Sequence, residues 1–275
     1  MLMPKPSEFS FGNSSVARSY DTVLVPILFD PWAEQLVEDH APWGGKIVLD
    51  LASGTGIVAR KLADRVGASG KVIASDINGE MLEFARARCA DIGTPVDFIQ
   101  SPAHPLDLPD ASVDVVVCQQ GYQFFPDRPA ATGEMKRVLR TGGRAIVSTW
   151  CSVGECQLFG MICGVLESMG ERELSGMLRL PFDHMPGEEL LNNFTSAGFR
   201  DVTVQKKERP MVIEGGIEAA VSMSYSTPIG PKLTALPDAR QADFKQRFSD
   251  VLRDLQRDGR IEARMVSLEL SATAA

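Results

Sequence analysis

The run Ile47-Val48-Leu49-Asp50-Leu51-Ala52-Ser53-Gly54-Thr55-Gly56 limits the fold of this chain more than any other segment. Its apolar start reads as a strand buried on both faces. Gly54 and Gly56 then turn the backbone tightly, and Val58, Leu62 and Val66, spaced four residues apart, open a helix at once. Glycines in such a turn let the backbone approach a ligand closely, and the N–H groups at a helix start suit an anionic or carboxylate group.

The same alternation continues downstream. Residues 46–51, 71–76, 96–100, 113–119 and 144–150 are short and mostly rich in Val and Ile, as buried strands are. Helical patterns separate them: Met81, Leu82, Ala85 and Cys89 form one apolar stripe, and a later helix opened by Pro129 and closed at Thr141-Gly142-Gly143 turns Met135, Val138 and Leu139 inward. Strands alternating with helices predict an α/β fold, a doubly wound parallel sheet with right-handed crossovers. Beyond residue 150 the texture changes. Residues 155–169 predict a weak, mostly apolar helix, 186–197 a helix ended by Gly198, 201–206 a strand, 238–257 an amphipathic helix stopped by Gly259, and 261–272 a final strand. The economical organisation is a single domain: an N-terminal helical cap over 1–45, a core over 46–150, helical cap segments over 151–200 and 207–260, and terminal strands at 201–206 and 261–272.

Composition narrows the function classes. With 275 residues, 44% hydrophobic and 23% charged, the chain can build a large core, and it has no apolar run of membrane-spanning length. A net charge of −8 argues against general binding of nucleic acid, whose phosphates need clustered Lys and Arg. Residues 1–10 lack the apolar run of a signal peptide. Five cysteines without a C-x-x-C pair predict reduced, mostly buried thiols in a cytoplasm. Three scattered histidines give no metal-ligand spacing, so no metal is expected.

The chemistry is carried by two acids. Asp50 ends the first strand ahead of the glycines, and Asp76 ends the second, placed to accept hydrogen bonds from both hydroxyls of a ribose. Gly54-Thr55-Gly56-Ile57-Val58-Ala59 also fits the G-x-G-x-x-A turn of nicotinamide-dinucleotide sites, and an NAD-dependent oxidoreductase is the first alternative. Asp50 favours a different ligand, because it can meet the amino group of a methionine moiety. Asp110-Ala111-Ser112-Val113-Asp114, Arg137-Val138-Leu139-Arg140-Thr141-Gly142-Gly143 and a chain end of two β segments split by a helix point the same way. With Ser75-Asp76-Ile77-Asn78 and Met81-Leu82, these motifs resemble the class I S-adenosylmethionine-dependent methyltransferases, small-molecule group, typified by ubiquinone/menaquinone-biosynthesis methyltransferases. The resemblance covers residues from about 14 to 150. It implies a Rossmann-like seven-stranded sheet of order 3-2-1-4-5-7-6 with strand 7 antiparallel, and S-adenosyl-L-methionine as cofactor. The residues implied to bind it are Asp50, Ala52, Ser53, Gly54, Thr55, Gly56, Asp76, Ile77, Met81, Ser101, Pro102, Ala103, Cys118 and Gln120. Two positions depart from the family: Ala52 replaces the first small residue of the glycine loop, and Pro102 stands where an acid usually holds the adenine amino group. Pro102 motivates a second alternative, a non-catalytic S-adenosylmethionine-binding protein.

On the acceptor side, Tyr20, Tyr122 and His184 are the candidate substrate contacts, with His184 and Tyr20 as catalytic candidates. Gln120 and Tyr122 lie in the loop after the fourth strand, where open α/β sheets bind ligands. The expected reaction is direct in-line methyl transfer to a small, partly hydrophobic acceptor, with alignment and exclusion of water supplying most of the acceleration. The oligomeric state, homodimer included, is left open by the sequence.

Overall fold

A computed structural model describes residues 18–183 and 185–275 of the chain. They divide into two compact units, one of Phe29–Thr149, Met185–Lys206 and Leu268–Ala275, the other of residues 18–28, 150–183 and 207–267. The strands are β1 (Ile47–Leu51), β2 (Lys71–Asp76), β3 (Val96–Gln100), β4 (Val113–Gln119), β5 (Leu139–Trp150), β6 (Phe199–Glu214), β7 (Gln256–Arg257) and β8 (Arg260–Ala274). The helices are α1 (Asp30–Asp39), α2 (Ile57–Val66), α3 (Gly79–Arg88), α4 (Arg128–Val138), α5 (Gln157–Ser168), α6 (Arg172–Arg179), α7 (Gly187–Ser196), α8 (Gly216–Ser224), α9 (Gly230–Thr234) and α10 (Asp238–Leu252). The sheet order is β3-β2-β1-β4-β5-β8-β6, with the short β7 pairing antiparallel to β8. The expected order is therefore present with one added two-residue strand, and β8 is the expected seventh.

In the first unit the pairs β1–β2, β2–β3, β1–β4 and β4–β5 are all parallel. One sheet face carries Val48, Val115, Val117 and Ile146 against Ala33 and Leu36 of α1 and Val58 and Leu62 of α2. The other carries Leu49, Val116, Cys118 and Val147 against Met135 and Val138 of α4 and Leu190 and Phe194 of α7. Covering on both sides is why the strands read as continuous apolar runs.

The family-like motifs have a mechanical explanation. Arg137 donates to the carbonyls of Leu106 and Leu108 and to Glu134 and Asp110, tying the loop before β4 to α4. Asp114 accepts from the Ile47 N–H at 2.8 Å and from Arg140 at 2.8 Å, fixing the start of β1 beside β4. Thr141-Gly142-Gly143 does not cap a helix as expected. The helix stops at Val138, and Leu139 already pairs with Val113. The next pair is Val115–Arg144, so the intervening residues of β5 bulge out of register. Gly142 supplies φ +77° there, and a Cβ on Gly143 would lie 2.8 Å from the Arg140 carbonyl.

The second unit is mostly helical, with α5, α6 and α8–α10. Trp150, Phe159 and Phe182 form one ring cluster, and Tyr225, Phe244 and Phe248 another. The helix expected over 238–257 ends at Leu252, because Asp258 and Gly259, both at positive φ, turn the chain into the β7–β8 hairpin. The strand expected over 201–206 is the longer β6, at the end of the sheet order. Its stretch Lys206-Lys207-Glu208-Arg209-Pro210 does not read as strand because edge strands carry charges and proline as protection against mispairing. Among the described residues no helix is long and apolar enough to cross a membrane.

Tyr122 shows how the two helices on the second face are locked. Its ring is fully buried against Phe125 and Phe194, its hydroxyl lies 2.7 Å from Thr132 Oγ1, and Asn193 Nδ2 donates to it at 3.0 Å. Tyr122→Phe should lower stability in urea unfolding by about 1–2 kcal/mol, because it strands the Asn193 amide and leaves Thr132 with the Arg128 carbonyl alone.

Candidate active site

The β1–α2 turn is built from residues in left-handed backbone: Ala52 at φ +58°, Gly54 at +54° and Gly56 at +80°. The Ser53 N–H donates to the Ser75 carbonyl at 3.0 Å, and the Gly56 N–H to the Ser53 carbonyl at 2.9 Å. At Gly56 a side chain is excluded twice, by φ and by Ala85 Cβ, which would lie 2.8 Å from an added Cβ. The loop is pinned to the second strand by Asp76: the Gly54 N–H donates to its Oδ2 at 2.8 Å, and the Asn78 N–H to its Oδ1 at 2.8 Å. Asn78 in turn caps α3 by accepting from the Glu80 N–H.

The electrostatics of the two acids differ from those of surface carboxylates. Asp50 is 1% exposed. Burial pushes its pKa up to about 7, with a contribution from the charge of Asp76, while a backbone hydrogen bond at Ala59 opposes the rise. Asp76 is also raised by burial, against the N–H groups of Asn78, Gly54 and Ile77 that favour its charged form. Asp50 Oδ2, Ser53 Oγ, Thr55 Oγ1 and Ser75 Oγ are buried and hydrogen bond to nothing among the described residues. Buried polar atoms are normally paired. Their concentration around one glycine turn fits a ligand with a cationic amino group and further polar atoms, as the methionine end of S-adenosylmethionine has. Asp76 accepts from main-chain N–H groups on both oxygens, and a carboxylate with about four lone-pair sites has room for a further donor.

Beside Asp76, Ile77 is an apolar side chain that is 70% exposed. Ser101 is anchored: its N–H donates to the Asp76 carbonyl at 3.0 Å, and its hydroxyl accepts from Asp107 and donates to the Pro102 carbonyl. Pro102 is exposed, Ala103 half-buried and Met81 buried at the start of α3. Cys118 is fully buried at the end of β4, its thiol raised by burial and by the charge of Asp50. Gln120 takes φ +55° and its N–H holds the Ser148 carbonyl at 2.9 Å. The Ala52 departure has its answer here. A Cβ on Gly121 would lie 2.6 Å from Ala52 Cβ and 3.2 Å from Cys118 Sγ, so the extra methyl at position 52 occupies space that Gly121 leaves.

The first unit thus brings together Asp50, residues 52–56, Asp76, Ile77, Met81, residues 101–103, Cys118 and Gln120. It does not present Tyr122 to a ligand; the ring is committed to the core and its hydroxyl to Thr132 and Asn193, a packing role in place of the expected acceptor contact. Tyr20 opens a π-helical segment, Tyr20–Phe29, and belongs to the second unit. His184 lies outside the described residues. His104 is exposed, and His40 Nε2 lies 2.8 Å from Glu269 Oε1, a pairing with no local signature in the sequence. Sequence reading also passed over Gln119 and Ser148, ordinary polar residues at strand ends whose buried Oε1 and Oγ lack partners among the described residues.

Two outcomes follow from this geometry. Gly121→Ala should cost about 1–3 kcal/mol through overpacking, and Ala52→Gly in the same chain should recover most of it, as a thermal-unfolding double-mutant cycle would show. Asp50 holds its proton more tightly folded than unfolded, so the pH-dependent part of its burial cost is absent where both states are protonated. The cost grows as pH rises from the unfolded carboxylate value and is complete above about 7. Asp50→Asn should therefore stabilise the free protein by about 1–4 kcal/mol at pH 8 and hardly at all at pH 4.

The comparisons with known proteins agree with the site. A family model described as a methyltransferase domain matches residues 48–143. Ubiquinone/menaquinone biosynthesis C-methyltransferase UbiE of Hahella chejuensis is 43% identical over 84 residues, 30% of this chain and 34% of the relative. The enzyme of that name from Xylella fastidiosa is 35% identical over 151 residues, 49% of this chain and 58% of the relative. The chain therefore spans between about a third and three-fifths of the length of these curated relatives. In structure it is similar to a SAM-dependent methyltransferase from Aquifex aeolicus, with a TM-score of 0.53 at 18% identity over 96% of this chain and 99% of that one. The chain has the Rossmann-like fold seen in S-adenosylmethionine-dependent methyltransferases, its residues 48–143 match the model of a methyltransferase domain, and part of its sequence resembles the UbiE-type enzymes.

Proposed function

We propose that the protein transfers the methyl group of S-adenosylmethionine to a small, partly hydrophobic acceptor by direct displacement. The observation that carries the reading is the pairing of Asp50, with a buried carboxylate oxygen lacking a partner among the described residues, and Asp76, held by the Gly54 and Asn78 N–H groups. The cofactor supplies an activated methyl on a sulfonium, with a neutral thioether as leaving group. The chain's own part is binding and orientation. Asp50 is placed to receive an ammonium, which would favour its charged form against the burial that now raises its pKa. Asp76 is placed to receive the ribose hydroxyls, Ile77 to support the adenine by apolar contact, and the anchored Ser101 to present backbone groups to its edge. With the donor already activated, alignment and exclusion of water carry the rate, and Tyr20 and His184 remain proposed acceptor contacts.

The name of the curated relatives gives them a C-methylation in ubiquinone and menaquinone biosynthesis, which supports an apolar acceptor. The net charge of −8 supports a small molecule over nucleic acid, and the five buried cysteines a cytoplasmic setting.

Calorimetry with S-adenosylhomocysteine should show binding to the wild type, weakened by about 1.5–3 kcal/mol in Asp76→Ala through loss of charge-assisted hydrogen bonds. Unchanged affinity with the fold intact would refute the placement. Mass spectrometry with S-adenosylmethionine and a panel of apolar acceptors should detect S-adenosylhomocysteine together with a methylated product. Cofactor binding without product across the panel would favour a binding protein, and a fluorescence change with NADH the oxidoreductase alternative.

A further inference from the structure

Alternation along the strands sets a row of polar side chains on one face of the sheet. Val48, Val115, Val117 and Ile146 face α1 and α2, so Asp50 on β1, Gln119 on β4 and Ser148 on β5 lie on that same face at the carboxyl ends of three adjacent strands. Asp50 pairs with Val117, one side-chain level before Gln119, and Gln119 pairs with Ser148 across a strand spacing of about 4.8 Å. Ligands of open α/β sheets bind outside these strand ends.

The orientation of Gln119 is decided by chemistry. Its Nε2 donates to the Phe29 carbonyl at 3.1 Å, and a main-chain carbonyl can only accept, so Oε1 is the atom turned away from that contact. Oε1 is buried and has no hydrogen-bond partner among the described residues, and the same holds for Ser148 Oγ in a residue only 4% exposed. Leaving both unmet is costly.

We propose that Gln119 and Ser148 form a subsite for a hydroxyl group of the methyl acceptor, an assignment that rests on the methyl-transfer reading above. An amide oxygen only accepts, whereas a serine hydroxyl both donates and accepts. A ligand hydroxyl satisfies both by donating to Oε1 and accepting from Oγ. An ammonium fits poorly, because neither residue carries a charge to offset its desolvation, and the carboxylate on this face stands on β1. An ether fails too, since it has nothing to donate to Oε1. Neither Gln119 nor Ser148 takes up a proton at neutral pH, so the pair anchors the acceptor and sets its angle without acting as a base.

The test uses the full chain with 1-naphthol and its methyl ether, 1-methoxynaphthalene, as probes, titrated by ligand-observed NMR with and without S-adenosylhomocysteine. The wild type should prefer the naphthol by about tenfold or more, the worth of one well-placed hydrogen bond. Gln119→Leu and Ser148→Ala should each erase most of that preference while S-adenosylhomocysteine affinity stays within about threefold. If Gln119→Leu does not fold, the near-isosteric Ser148→Ala decides alone. Equal binding of the two probes to the wild type, or a preference that survives in the variants, overturns the subsite. So does a large loss of S-adenosylhomocysteine affinity in either variant, which would assign these atoms to the cofactor. Failure of S-adenosylhomocysteine to bind the wild type strikes the methyl-transfer reading itself and the acceptor assignment with it, whereas loss of the probe preference with the cofactor product still bound strikes the subsite alone.

Discussion

One hydrogen bond organises the site: the Gly54 N–H on Asp76 Oδ2. It joins the glycine loop to the strand beside it, alongside the Ser53 N–H on the Ser75 carbonyl and Arg88 Nε on the Thr55 carbonyl. It forms only because β1 and β2 are parallel and in register, Leu51 beside Ser75, so that the Ser53 N–H can continue the ladder onto the Ser75 carbonyl. The left-handed conformations of Ala52, Gly54 and Gly56 then set where the next N–H groups point. Asn78 completes the arrangement by orienting the other oxygen of Asp76 and capping α3. A carboxylate gripped on both oxygens loses little further freedom when a ligand arrives, which is the physical content of preorganisation.

This arrangement is expensive in the free protein. Two acids sit at the ends of adjacent strands, both raised by burial, and the charge of Asp76 further disfavours ionisation of Asp50. Several hydroxyls beside them are unpaired among the described residues. The remainder of the unit offsets that cost with a sheet covered on both faces by apolar helices and with the Arg137 and Asp114 ties at the opposite strand ends. Stability and binding are thus supplied by different edges of the same sheet.

Much of this was legible in the chain. The buried strands, the glycine turn and the two acids follow from short-range pattern, because β1, β2 and β4 are covered on both faces and leave unbroken apolar runs. What failed depended on partners remote in sequence. Thr141-Gly142-Gly143 has the composition of a helix stop, yet the pairing of Leu139 with Val113 makes it a bulge. Tyr122 follows a strand that ends at the site, and only the positions of Thr132 and Asn193 reveal it as a core residue. Glu269, on the polar side of an alternating strand, is drawn inward by His40 from far along the chain. The meaning of Gln119 depends on a single contact with the Phe29 carbonyl that no motif announces.

Cys118 illustrates a chemical hazard and its containment. Its sulfur stands with Ala52 about the position of Gly121, close to a loop proposed to hold an alkylating sulfonium. A thiolate there would be a competing nucleophile, since the deprotonated sulfur, not the thiol, attacks electrophiles. Complete burial and the negative charge of Asp50 both oppose ionisation. Burial above all, with the charge of Asp50 added to it, therefore holds the Cys118 sulfur as a thiol, and a loop proposed to hold a methyl donor has a neighbour that does not compete for the methyl group.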